Sequence, residues 1–135
     1  MLSYGGRESG FSFYVKGDRL VYESNPLNGV RTVLASNIPV PHGNVVLTYE
    51  YVNERVQAGR NTLERLVGGV SSGTGRLFIN QQAVGEAKLP GAMIVSRAGP
   101  GSLGIGQAFG SPVSDTFSLP FKFTGGLTRV EVELK

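Results

Sequence analysis

LGIGQAFGSPVSDTFSLPFKFTGGLTRVEVEL, residues 103–134, decides the fold class. A short apolar segment, a Gly/Ser/Pro turn, a Phe-rich segment and a strictly alternating run succeed one another with no room for a helix. In the alternating run Val130, Val132 and Leu134 share one side, while Arg129, Glu131, Glu133 and Lys135 share the other. Successive side chains of a strand point to opposite faces, so this run predicts a final strand with one dry face and one wet one. The last third of the chain is therefore expected to be β-sheet.

The rest of the chain repeats that grammar. Residues 1–9 are polar and glycine-bearing and read as a loose lead-in, and a single domain is expected over 10–135. Phe11, Phe13 and Val15 alternate with Ser12, Tyr14 and Lys16; a Gly17-Asp18 turn returns the chain into Arg19–Glu23, a hairpin signal. Residues 30–36 form a β-branched strand, and the prolines of Ile38-Pro-Val-Pro-His-Gly43 exclude a central strand there. Asn44–Val52 is apolar on both faces and predicts a strand in the middle of a sheet. The β rhythm stops over 53–73, where Asn61-Thr-Leu-Glu64 resembles a helix cap and Leu63, Leu66 and Val67 fall at helical spacing, so at most one short helix is expected near 61–67. Strands resume at 74–79, turn at Asn80-Gln81, return over 83–88 and add a further segment at 89–96. About nine or ten short strands between frequent turns argue for an all-β, two-sheet antiparallel sandwich of jelly-roll or concanavalin A-like type.

Composition narrows the function classes. The 135 residues contain no cysteine, which removes disulfides, thiolate metal sites and cysteine nucleophiles. Thirteen Lys and Arg stand against ten Asp and Glu, and the basic residues are scattered, with no basic stripe interleaved with aromatics, so nucleic acid is not an expected partner. No stretch approaches the roughly 20 apolar residues of a membrane-spanning helix. The N-terminal MLSYGGRESG lacks the pattern of a signal peptide, so the chain, if complete, is expected to be cytoplasmic; it can equally be a piece of something larger.

Candidate sites are sparse. His42, the only histidine, lies in a Pro-His-Gly turn and reads as a solvated turn residue rather than a triad or metal ligand. Ser114-Asp115 reads as a turn cap. Glu50 and Glu54, four apart on an extended chain, are separated by about 13 Å of backbone, beyond the roughly 5–9.5 Å of glycosidase carboxyl pairs. Asp18 and Asp115 with scattered Glu do not make the oxygen cluster that a hard cation needs. Gly99–Gly106 is glycine-rich but lacks the Gly-Lys-Ser/Thr and following helix of a phosphate loop. No catalytic residue, metal site or cofactor is expected. Tyr14, Tyr22, Tyr49 and Tyr51 are the ligand-binding candidates, since sugars stack on aromatic faces; core packing is the plainer use of the same rings.

Four blocks carry a family resemblance when read in order: GFSFYVKGDRLVYESN, RTVLASNIPVPHGNVVLTYEY, GTGRLFINQQAVGEAKL and the stretch quoted first. Together they resemble the C-terminal domain of large bacterial arylsulfatases over residues 10–134. That family shows a Tyr-Val-Lys hairpin followed by Leu-Val-Tyr-Glu, a Gly-Thr-Gly strand, Gly-Ser-Pro-Val-Ser and an aromatic-Pro-Phe-x-Phe-Thr-Gly stretch. The resemblance implies a concanavalin A-like sandwich that braces a catalytic domain. The sulfatase Cys-x-Pro-Ser-Arg signature is absent, so the chain is not expected to be an enzyme. Just before Gly110-Ser-Pro-Val113 the family carries an Asp or an Arg-Asp pair; here Gln107-Ala108-Phe109 stands in its place, and Gln107 joins the tyrosines as a candidate. The loop at 53–73 is also longer than the family's connector. The expected function is a non-catalytic module for structural bracing, partner binding or self-assembly. A carbohydrate-binding module is the alternative, and a sandwich-fold glycan hydrolase or lyase is third.

Overall fold

A computed structural model describes residues 1–7, 9–26, 31–57, 70–92, 103–108 and 110–133. The described chain is all-β, with ten strands: β1 (Leu2–Gly5), β2 (Gly10–Lys16), β3 (Arg19–Asn25), β4 (Thr32–Ala35), β5 (Leu47–Gln57), β6 (Val70–Ile79), β7 (Gln82–Ala92), β8 (Gly104–Ile105), β9 (Gln107–Ala108) and β10 (Phe121–Lys122). A five-stranded sheet runs β4-β3-β2-β1-β8, a three-stranded sheet runs β5-β6-β7, and β9 pairs with β10; every pairing is antiparallel. The sheets form an open sandwich.

Local chemistry explains the hairpins. The β2–β3 turn uses Gly17 at φ 64°, and β6 returns into β7 through Asn80 and Gln81, both at positive φ (49° and 70°). Two consecutive positive values match the twist of the flanking strands, and asparagine tolerates that region better than most residues.

The two large sheets enclose one core. Leu20, Tyr22 and Leu34 meet Leu77, Ile79, Val84 and Leu89, with Phe11, Phe13, Val15, Leu47, Tyr49 and Tyr51 around them. Tyr22 and Tyr49 stack across the sheets at a centroid distance of 3.6 Å with planes 8° apart. Room for the rings of β5 comes from the Gly-Thr-Gly segment of β6. A Cβ on Gly75 would lie 3.0 Å from the Tyr49 ring, and one on Gly73 would lie 2.7 Å from the Tyr51 hydroxyl.

The five-stranded sheet is also covered on its other face. Met1, Tyr14, Val21 and Ala108 form a second cluster with Phe117, Leu119, Phe121 and Phe123. Strands β2 and β3 therefore present buried residues on both faces, and β3 is buried from Leu20 to Asn25.

Four expectations are corrected. The lead-in is ordered over Leu2–Gly5, because β1 finds ladder partners in both β2 and β8. The strand starting near residue 44 is not central among the described strands: β5 begins at Leu47, continues to Gln57 and has only β6 of them beside it. Its apolar residues split between the core, at Leu47, Tyr49 and Tyr51, and solvent, at Val46 and Val52. The two segments expected at 83–88 and 89–96 are one strand as far as Ala92. The final strand is absent: residues 123–133 belong to no sheet, and Val130 and Val132 are exposed. The helix expected near 61–67 lies outside the described residues.

Candidate functional site

The candidate tyrosines occupy different layers. Tyr14 (2% exposed) lies under the C-terminal segment, edge-on to Phe117 and Phe121, and Tyr22 (4%) lies in the central core. Tyr49 is sandwiched against Tyr22, and its hydroxyl has no hydrogen-bond partner among the described residues. Tyr51 is half-buried at the core margin. Gln107 is half-buried in the β9–β10 ribbon opposite Lys122. The five residues do not converge on one surface, and the faces of Tyr14 and Tyr22 are covered.

Burial pushes the phenols of Tyr14, Tyr22 and Tyr49 above their ordinary range, because a phenolate would lose its hydration. The folded state therefore holds protons that the unfolded state releases at about pH 10. This contribution to stability is complete below that value and is lost as pH rises above it. The urea midpoint is expected to be level from pH 8 to about 9.5 and to fall steeply towards pH 11.5, with phenolate absorbance appearing together with unfolding; a midpoint unchanged to pH 11.5 contradicts this.

A polar cluster that sequence reading missed surrounds Tyr14. Glu23 is 0% exposed; Tyr14 donates to its Oε2 at 3.1 Å and Arg31 Nε lies 3.6 Å from its Oε1. Arg31 Nη1 also holds Asp115 at 2.5 Å. Since the Tyr14 proton goes to the carboxyl group, Thr116 must donate to Tyr14 across 3.0 Å, and Ser114 to Thr116 across 2.7 Å. The Thr116 amide closes the turn onto Ser114 Oγ at 3.0 Å. Lys16 reaches the Thr116 carbonyl at 2.5 Å, and the Arg7 amide donates to Ser111 Oγ at 3.1 Å. These bonds fasten residues 111–116 to the five-stranded sheet. Ser114-Asp115 thus does more than cap a turn. The sequence signal was Glu23 itself, a charge on an apolar strand, although alternation alone reads its face as wet.

Five charged residues of the small sheet are paired on its outer side. Arg76 lies 2.6 Å from Glu86 and 3.9 Å from Glu50, and Lys88 lies 2.5 Å from Glu54, which also accepts from Thr74 at 2.5 Å. The hydrogen bonds from Lys88 and Thr74 hold the Glu54 carboxyl below its ordinary range. Glu50 and Glu54 each face cations. Asp18 pairs with Arg19 at 3.3 Å, and His42 is exposed. Among the described residues no three His, Cys, Asp or Glu cluster as metal ligands, and no helix is long and apolar enough to cross a membrane.

What remains is an open flank. Strand β7 approaches β4, where the Asn37 amide donates to the Val84 carbonyl at 2.7 Å. At the other end of the small sheet, Tyr49 of β5 meets Tyr22 and Phe13, so β5 stands over β3 and β2. Three strands thus cover β4, β3 and β2, and the inner side of β1 and β8 extends beyond them. Leu2 pairs with both Phe13 and Ile105, which places Ile105 on that inner side. Alternation puts Leu103 there too, and both residues are 53% exposed, next to half-buried Leu2 and Tyr4. An apolar shelf therefore lies beside the edge of β5 that faces away from β6, an edge paired with none of the described strands. No family model, curated protein or solved structure matches the chain.

Proposed function

We propose that this chain is a non-catalytic β-sandwich module that binds a protein partner by accepting an extended segment along β5. The observation that carries this is the unequal size of the sheets, five strands against three, which leaves an edge strand beside the shelf formed by Leu2, Tyr4, Leu103 and Ile105. A free edge offers main-chain hydrogen bonds, and the shelf offers a place for every second side chain of the incoming segment. The resemblance to the arylsulfatase C-terminal domain supports the same role, since a bracing module works by contact. The buried Tyr14 and Tyr22 rings give no stacking platform for a sugar.

The test uses a ten-residue peptide in which valine alternates with lysine and glutamate. Titration into the labelled chain is expected to shift the amides of β5, β1 and β8, and Ile105→Asp is expected to weaken binding at least tenfold. Binding that shifts other strands, or no binding at millimolar peptide, overturns the assignment.

A further inference from the structure

We infer that residues 127–133 of the same chain, which pair with no strand in the structure, are a strap able to dock into the β5 slot and compete with the partner segment; this rests on the binding role proposed above. The strap has the chemistry that the slot requires. Val130 and Val132 alternate with Arg129, Glu131 and Glu133, and Val132 is 69% exposed where it now lies. Paired with β5, the two valines would fall on the inner side with Leu47, Tyr49 and Tyr51, over β1 and the shelf. The charged row would then fall on the outer side beside Thr48, Glu50 and Val52. Slipping the register by one residue would reverse both rows, so the pattern fixes the parity of pairing.

Length and origin agree. The chain leaves the outer cluster at Phe123, whose amide donates to the Gly106 carbonyl at 2.8 Å, next to the β8 end of the large sheet. The slot lies around that end, in the layer of β5. Measured from the Gly106 backbone at the edge of the large sheet, beside which Phe123 is held, the layer of β5 stands about 10 Å away, and residues 124–127 extend about 13 Å. Gly125 and Gly126 lie in this connection and supply the conformational freedom for the turn. Strand β5 is 11 residues long, so the edge that no described strand pairs with is long enough for the whole strap. A tethered strap also acts at high effective concentration, so a partner must outcompete it.

The test is hydrogen exchange on the full chain at low micromolar concentration, combined with titration of the valine-alternating peptide into the wild type and into the double variant Val130→Asp/Val132→Asp. Both valines are exposed in the structure, so the variant retains the folded core. Expected are slowed exchange at 127–133 in a monomer and at least tenfold tighter peptide binding by the variant. Slowed exchange with no peptide binding by either protein supports the strap and overturns the partner-binding role. Free-chain exchange at 127–133 with equal peptide binding overturns the strap and leaves the binding role standing. Free-chain exchange without peptide binding overturns both. Protection that rises with protein concentration overturns the intrachain strap in favour of a second copy.

Discussion

Replacing Leu77 with alanine is expected to destabilise the fold by about 2–5 kcal/mol. Leu77 is wholly buried in the middle strand of the small sheet, where it meets residues of both layers in the central core. The substitution removes apolar surface from that core and leaves a cavity that paired strands on either side resist collapsing into. Urea denaturation monitored by circular dichroism measures the loss. Val52→Ala, on the exposed side of β5, is the control and is expected to change stability by less than about 0.5 kcal/mol. Equal effects at the two positions would contradict a core lying between these sheets.

Removing the carboxyl group of Glu23 is expected to be about as damaging. Glu23→Ala should cost about 3 kcal/mol, near the low end for breaking a buried ion pair, because Arg31 is partly exposed and keeps Asp115. The loss combines a cavity, the accepted bond from Tyr14 and the directed chain from Ser114 through Thr116. Tyr14→Phe isolates the hydroxyl's share and should cost about 1–2 kcal/mol, since the ring packing against Phe117 and Phe121 survives. Denaturant midpoints for both variants check the ordering. A Glu23→Ala protein within 0.5 kcal/mol of the parent would show that the cluster does not fasten the C-terminal segment.

Most of the strand grammar was legible because hairpins are local. The β2–β3 and β6–β7 pairs each carry their turn residues and their alternation within a short window, and both turn where they were read, although β6 begins at Val70, inside the stretch 53–73 where no strand was expected. The placement of β5 was not legible. Apolar residues on both faces indicate two covered faces only when a second layer exists on each side, and Val46 and Val52 instead face solvent. Residues 127–133 make the same point from the opposite direction: alternation tells which side chains share a face, but pairing requires a neighbour, and none of the described strands takes that role here. Glu23 was overlooked because its covering, 111–123, is about ninety residues away in the chain and carries no pattern linking it to β3. That the candidate tyrosines are aromatic was plain from the sequence, whereas the burial of Tyr14 and Tyr22 depends on tertiary packing between segments far apart in the chain.

The five-stranded sheet is the middle of three layers, and it separates two apolar clusters that have no described side chain in common. Such a partition divides the molecule into two cooperative units. The covering segment is expected to peel away from Tyr14 and Val21 while Leu20, Leu77 and Val84 stay packed, with hydrogen exchange faster in the outer unit than in the central core. Physiological fluctuation would then transiently uncover Glu23 and its hydroxyl partners without exposing the principal core.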